Sequence, residues 1–222
     1  MATQHSQDLT VGSLISGAAD HVRVNLQPAL LYVGAFTAAG TLVDATSSDN
    51  AALGGAFGIA YLVATIVAGY LVLEIFLEKA GLLVKGAGRN FLGYIGQSIV
   101  MGLAIAIGLV LFIVPGVYLA ARWAIAQGLL VGRHANAMDA LSLSWEETDG
   151  HVLTIVGAAL GLFVPLILGL IVIVGLLGES SMIGMIVSNL VQTSITVVGF
   201  GFVTEVFSRL RPGNERTAEV FR

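Results

Sequence analysis

Six long apolar runs divide the chain, at 28–46, 55–77, 95–114, 117–132, 152–177 and 183–207. A helix needs about 20 apolar residues to cross roughly 30 Å of hydrocarbon, and all but one of these runs reach or approach that length. The exception, Val117 to Gly132, rises only about 24 Å at 1.5 Å per residue.

Three stretches that precede pairs of runs have a mixed pattern. In 10–25, Val11, Leu14, Ile15, Ala18 and Val22 fall on one helical face, with Asp20 and Arg23 elsewhere and Asp8 just ahead. In 78–94, Leu82, Leu83, Phe91 and Leu92 mix with Lys79, Lys85 and Arg89, and glycines weaken the helix. In 136–149, Ala137, Ala140, Leu141, Ser144 and Trp145 share a face; Asn136 and Asp139 resemble a helix start and Gly150 its end. The repeated plan is an interfacial helix, an outward span and a return span. Short amphipathic connectors at a membrane surface give the same pattern without duplication.

Composition agrees with this reading. Hydrophobic residues make up 56 % and charged residues 11 %, with a mean hydropathy of +0.91. A water-soluble domain carries about a quarter charged residues, so that class is excluded, as is disorder. The absence of cysteine removes disulfides, thiolate metal sites and cysteine nucleophiles, and a formal charge of −4 leaves no basic footprint for nucleic acid. No signal peptide with a short apolar core and a small-residue cleavage site precedes the first run.

The basic residues set the expected orientation. With six spans and both termini inside, Arg23, Lys79, Lys85, Arg89, Arg133, Arg209, Arg211, Arg216 and Arg222 are cytoplasmic, and Arg122 falls within a span. The external loops around Asp49, Pro115 and Glu179 then carry no lysine or arginine, as the positive-inside rule requires. The fold class is therefore an all-α polytopic membrane protein. Its six transmembrane helices form three hairpins, each preceded by a cytoplasmic interfacial amphipathic helix, N-in and C-in. Residues 1–210 form one helical membrane domain, and 211–222 a polar cytoplasmic tail.

The stretch from Leu111 to Trp123, LFIVPGVYLAARW, is the most distinctive in the chain. With Ala137 to Trp145, AMDALSLSW, the following Gly150-His151, and Val11-Gly-Ser-Leu-Ile15 ahead of the first span, it resembles the YciC-like bacterial inner-membrane proteins. It is also similar to the membrane domain attached to some glycerophosphodiester phosphodiesterases. The resemblance covers most of residues 10–210. It implies a helical inner-membrane fold with a Pro-Gly turn between two helices, and it brings no catalytic residues.

Arg122 is the sharpest anomaly, since an arginine within hydrocarbon costs several kcal/mol unless it snorkels or is paired. Glu74 and Glu205 are the expected acidic partners, with Glu74 favoured; the competing roles are an anion or headgroup site and a structural ion pair. Glu205 and Arg209, four apart, suit a helical pair, while Glu74 and Glu78 with Lys79 mark a membrane boundary. Ser188, Asn189, Gln192, Thr193, Thr196 and Gly199 make a polar face on the sixth span, which lines a pathway or bonds to neighbouring helices. Trp123 and Trp145 suit the interface. Pro115 and Gly116 suit an external turn, and Gly161 with Pro165 a kink in the fifth span. Gly54/Gly58 and Gly157/Gly161 have close-packing spacing. His5, His21, His134 and His151 lack metal-ligand spacing, and no cofactor is expected.

The resulting expectation is a non-catalytic inner-membrane protein, an accessory or lipid-associated component whose partners are membrane lipids, a larger membrane complex or further copies of itself. The alternative is a small-solute or lipid transporter or channel, with Arg122 and the sixth span's polar face at its site.

Overall fold

In lipid the backbone has no partner but itself, so each apolar run closes into a helix. The computed structural model of the chain describes residues 9–49, 51–84, 88–178 and 181–210. Among these are nine helices and no strand. They are α1 (Val11–Val24), α2 (Leu26–Asp49), α3 (Ala51–Lys79), α4 (Phe91–Leu111), α5 (Ile113–Arg122), α6 (Ala126–Arg133), α7 (Ala137–Glu147), α8 (Val152–Leu177) and α9 (Met182–Arg209). Six stretches are long and apolar enough to cross a membrane: Leu26–Ser47, Ala52–Lys79, Phe91–Leu111, Ile113–Arg133, Val152–Leu177 and Met182–Arg209. The chain is a multi-pass membrane protein. The expected tail 211–222, with Lys85, Glu179 and Asp8, lies outside the described residues.

Helix α9 is the axis of the bundle, packing on α1, α2, α3, α6 and α8. Its buried face runs through Asn189, Thr193, Val197, Phe200, Gly201, Thr204 and Glu205. Around it lie Tyr70, Leu73, Phe76 and Leu77 of α3 and Leu129, Leu130 and Val131 of α6, all fully buried. The outer helices differ. None of the most apolar 18-residue stretch of α8 is buried in the protein, a pattern stable only against lipid.

Thr10 caps α1: its Oγ1 accepts from the Ser13 N–H and the Ser13 hydroxyl accepts from the Thr10 N–H, each at 3.2 Å. Leu14 and Ala18 bury the apolar stripe. The α1 backbone crosses α8 and α9 at glycines. Val11 and Ile15 sit over Gly157 and Gly161, each methyl 3.0 Å from where a Cβ would stand. The Gly157/Gly161 spacing thus admits the side chains of α1. Gly54 lies against Ser47 of α2, while Gly58 faces open space.

Three sequence expectations are corrected. The fourth span is not the short run 117–132: it extends over Ile113–Arg133, 21 residues in two helices broken at 123–125. Pro115-Gly116 is not the turn. The chain reverses at the extended Phe112 (φ −156°, ψ 128°), and Pro115 sits in the first turn of α5. A proline is tolerated there because its missing N–H has no helical partner in any case. Gly116 instead lets α5 touch α4, since a Cβ on it would lie 2.5 Å from the Leu109 nitrogen. Finally, 78–94 forms no interfacial helix among its described residues: α3 continues to Lys79, Gly81 turns the chain at φ 70°, and α4 begins at Phe91. Helix α8 runs on through Pro165.

Candidate functional site

Arg122 ends α5, where the fourth span breaks. The break frees the Arg122 carbonyl, which accepts from the Ser144 hydroxyl of α7 at 2.8 Å; the hydroxyl of Thr148, just past α7, lies 3.2 Å from the same carbonyl and shares its one proton with the Ser144 carbonyl at 2.7 Å. The guanidinium is equally occupied. Nε donates to the Tyr118 hydroxyl at 2.9 Å, Nη1 to the Trp145 carbonyl at 3.0 Å, and Nη2 pairs with Asp149 at 2.8 Å. Its central carbon lies 4.9 Å from the Trp145 ring centroid and 5.4 Å from that of Tyr118, within cation–π range. All three nitrogens are engaged, so Arg122 fastens α7 to the break and presents no ready anion site.

The expected partners of Arg122 are therefore corrected. Glu74 binds Arg89 of the α3–α4 connection, with Nε 2.9 Å from Oε2 and 3.2 Å from Oε1. Glu205 is bonded to His21 of α1 at 3.0 Å and to Arg209 one turn on. Each acid is satisfied locally, which removes the need for a long reach to Arg122. Arg133 completes the set, paired with Glu147 at 3.0 Å and stacked 5.3 Å above Phe207. These groups tie α1, α7 and the connecting segment to one end of the bundle.

The polar face of α9 has a different setting. Thr193 meets Thr37 of α2 at 3.1 Å, and Asn189 donates to Asp44 of α2 at 2.7 Å and to the Met185 carbonyl at 2.9 Å. Beside them, Gln192, Thr193 and Thr196 line a cavity of about 400 Å³. The facing walls come from Tyr32 of α2, Tyr61 and Thr65 of α3, Tyr94 and Ser98 of α4, and Gln127 of α6. No charged side chain is among its described lining residues. Hydroxyl and amide groups of this kind suit an uncharged hydrogen-bonding group.

An apolar groove of about 390 Å³ adjoins it between α4, α5, α8 and α9, walled by Met101, Ile105, Val117, Trp123, Phe163 and Phe202. Gln127 and Val203 line both spaces. Trp123 therefore faces a groove, while Trp145 is 39 % exposed, edge-on to Tyr118 at 5.9 Å. A third cleft, about 670 Å³, opens between α2, α8 and α9 beside Asp44, Ser188 and Gln192.

The structure thus separates the expected site residues. Arg122, Glu74 and Glu205 belong to three distinct ion-pair clusters, whereas Asn189 and Gln192 share a polar region. Sequence reasoning missed the opposing wall. Its signals were Tyr32, Tyr61, Ser98 and Gln127 within apolar runs; beside the cavity, Asp44, an acid inside the first run, was the signal of the partner to Asn189. Gln97 is buried and donates to the Ala126 carbonyl at 3.2 Å beside the helix break. Among the described residues no group of three His, Cys, Asp or Glu side chains is placed to hold a metal ion. No family model, curated protein or solved structure matches the chain.

Proposed function

We propose that this protein is a non-catalytic, lipid-associated component of a bacterial inner membrane, related to the YciC-like proteins, with both termini cytoplasmic. Its central cavity holds the polar part of a neutral, hydrogen-bonding amphiphile, and the adjoining groove holds its chain. The observation that carries this reading is the shared wall at Gln127: one side chain borders a hydroxyl- and amide-lined space and an apolar one. A hydrocarbon chain gains no hydrophobic driving force on moving from lipid to a groove, so selectivity must come from the polar end. Each hydrogen bond there contributes about 1 kcal/mol, so two or three suffice to hold one amphiphile over bulk lipid.

Clustering of Arg23, Lys79, Arg89, Arg133 and Arg209 at one end supports the orientation. A second reading, transport, draws on Gln192, which borders both the central cavity and the cleft at Asp44. In that reading Arg122 is scaffold rather than site.

Lipid extraction after purification in mild detergent tests the proposal. One amphiphile class should be enriched over the bulk membrane, and Gln127→Leu with Thr196→Val should abolish the enrichment while the fold persists. Liposome uptake assays separate the readings: solute movement lost in Gln192→Leu favours transport, and no movement favours binding alone.

A further inference from the structure

The cleft between α2, α8 and α9 has a feature that the central cavity lacks, a carboxylate. Asp44 lines it and is exposed there. Asn189 donates to Asp44 Oδ2 at 2.7 Å, and because Asn189 is itself anchored on the Met185 carbonyl, the carboxylate is held in one place. Among the described residues Asp44 has no cationic partner. The sequence shows why. No lysine or arginine occurs between Arg23 and Lys79 or between Arg133 and Arg209. Of the three helices around this cleft, α2 and α8 carry no lysine or arginine, and α9 carries only Arg209, about 30 Å along it from Asn189 at 1.5 Å per residue. A carboxylate bordered by lipid gains most from an opposite charge, and none of the described residues supplies one here.

The remaining walls define the cation. A divalent metal needs several oxygen ligands, and no cluster of three ligating side chains exists among the described residues. Leu170, Ile171 and Val174 of α8 make one side of the cleft apolar, and Ser188 and Gln192 make another side neutral and polar. That combination suits carbon-bearing ammonium better than a hydrated inorganic ion. At about 670 Å³ the space also exceeds what a bare ion fills.

We propose that this cleft is a binding site for a protonated amine, with Asp44 as its counter-charge and Asn189 as the positioning residue. The site meets the central cavity only at Gln192 and stands whether or not that cavity binds an amphiphile. Two sources present such a group, an aminated lipid headgroup and a soluble amine. The full chain in nanodiscs containing equal phosphatidylethanolamine and phosphatidylglycerol tests the first, by native mass spectrometry of retained lipid. Titration with free ethanolamine, read as a shift in melting temperature, tests the second. In at least one arm the native protein should favour the amine, with lipid retention of about fivefold over phosphatidylglycerol. Asp44→Asn, which keeps the shape and the neighbouring amide, should abolish the preference, and Asp44→Glu should keep part of it. The Glu variant also decides the matter if the Asn variant does not fold. An amine preference unchanged in Asp44→Asn, or no preference in either arm, overturns the proposal.

Discussion

Gly201 of α9 lies against the carbonyl of Ala18 in α1, so close that a Cβ at 201 would stand 2.5 Å from that oxygen. One turn further along, the Glu205 carboxylate occupies the space that a side chain at Gly17 would need. The two contacts differ in what can yield. At Gly201 the obstacle is backbone, so Gly201→Ala must push α1 off α9 and should cost about 1–3 kcal/mol. At Gly17 the obstacle is the end of a side chain, and Gly17→Ala should cost less, by displacing Glu205 from His21. Thermal unfolding in detergent should rank Gly201→Ala below Gly17→Ala, with the native protein most stable. An equal or reversed order would show that α1 is not held by these crossings.

The surroundings of Arg122 predict a specific coupling pattern. A double-mutant cycle on stability should show coupling of Arg122 to Asp149 and to Trp145, and additivity with both Glu74 and Glu205. Because Asp149 is 76 % exposed, its share should weaken with salt, whereas the aromatic share should persist.

The caps on the Arg122 carbonyl should matter more individually than the ion pair. Ser144 and Thr148 are fully buried, and removing either hydroxyl leaves a buried acceptor short of a donor. Ser144→Ala and Thr148→Val should each cost about 1–2 kcal/mol. Together they should cost more than their sum, since each variant leaves the other hydroxyl as a substitute. Additive losses would mean that the carbonyl finds another donor.

Topology reporters should place residues 50, 112 and 180 on the external side and 222 in the cytoplasm. An external signal at 222 would reject the proposed orientation. Trp145 fluorescence, measured with Trp123→Phe, should respond to quenchers at headgroup depth. A fully water-exposed indole would detach α7 from the interface.

What the sequence revealed followed physical scale. Hydrocarbon thickness imposes a length on every span, so six spans were legible from apolar runs alone. The fourth was misjudged because Pro115-Gly116 carries two meanings, an external turn or the first turn of a helix, and only Phe112 decides between them. The segment 78–94 has amphipathic spacing, yet Gly81 at positive φ ends the helical path before it forms. Partners were the least legible. Glu74 and Glu205 found Arg89 and His21, which hydropathy treats as unremarkable boundary residues. The polar face of α9 was visible as a stripe, but its opposing wall is assembled from one or two polar residues on each of four other helices. No window of one helix contains that information.

The break in the fourth span also has a consequence in time. Its free carbonyl, at Arg122, is capped by Ser144 and Thr148, 22 and 26 residues downstream. At a synthesis rate of about 5–20 residues per second, the span exists for roughly one to five seconds before its caps have been made. During that interval the nearest donor to this carbonyl is the N–H of Ala126, one turn on, which the finished fold gives to Trp123 instead. The break at 123–125 is therefore expected to form late, once Ser144 and Thr148 have arrived to take the carbonyl that a continuous helix would have used itself.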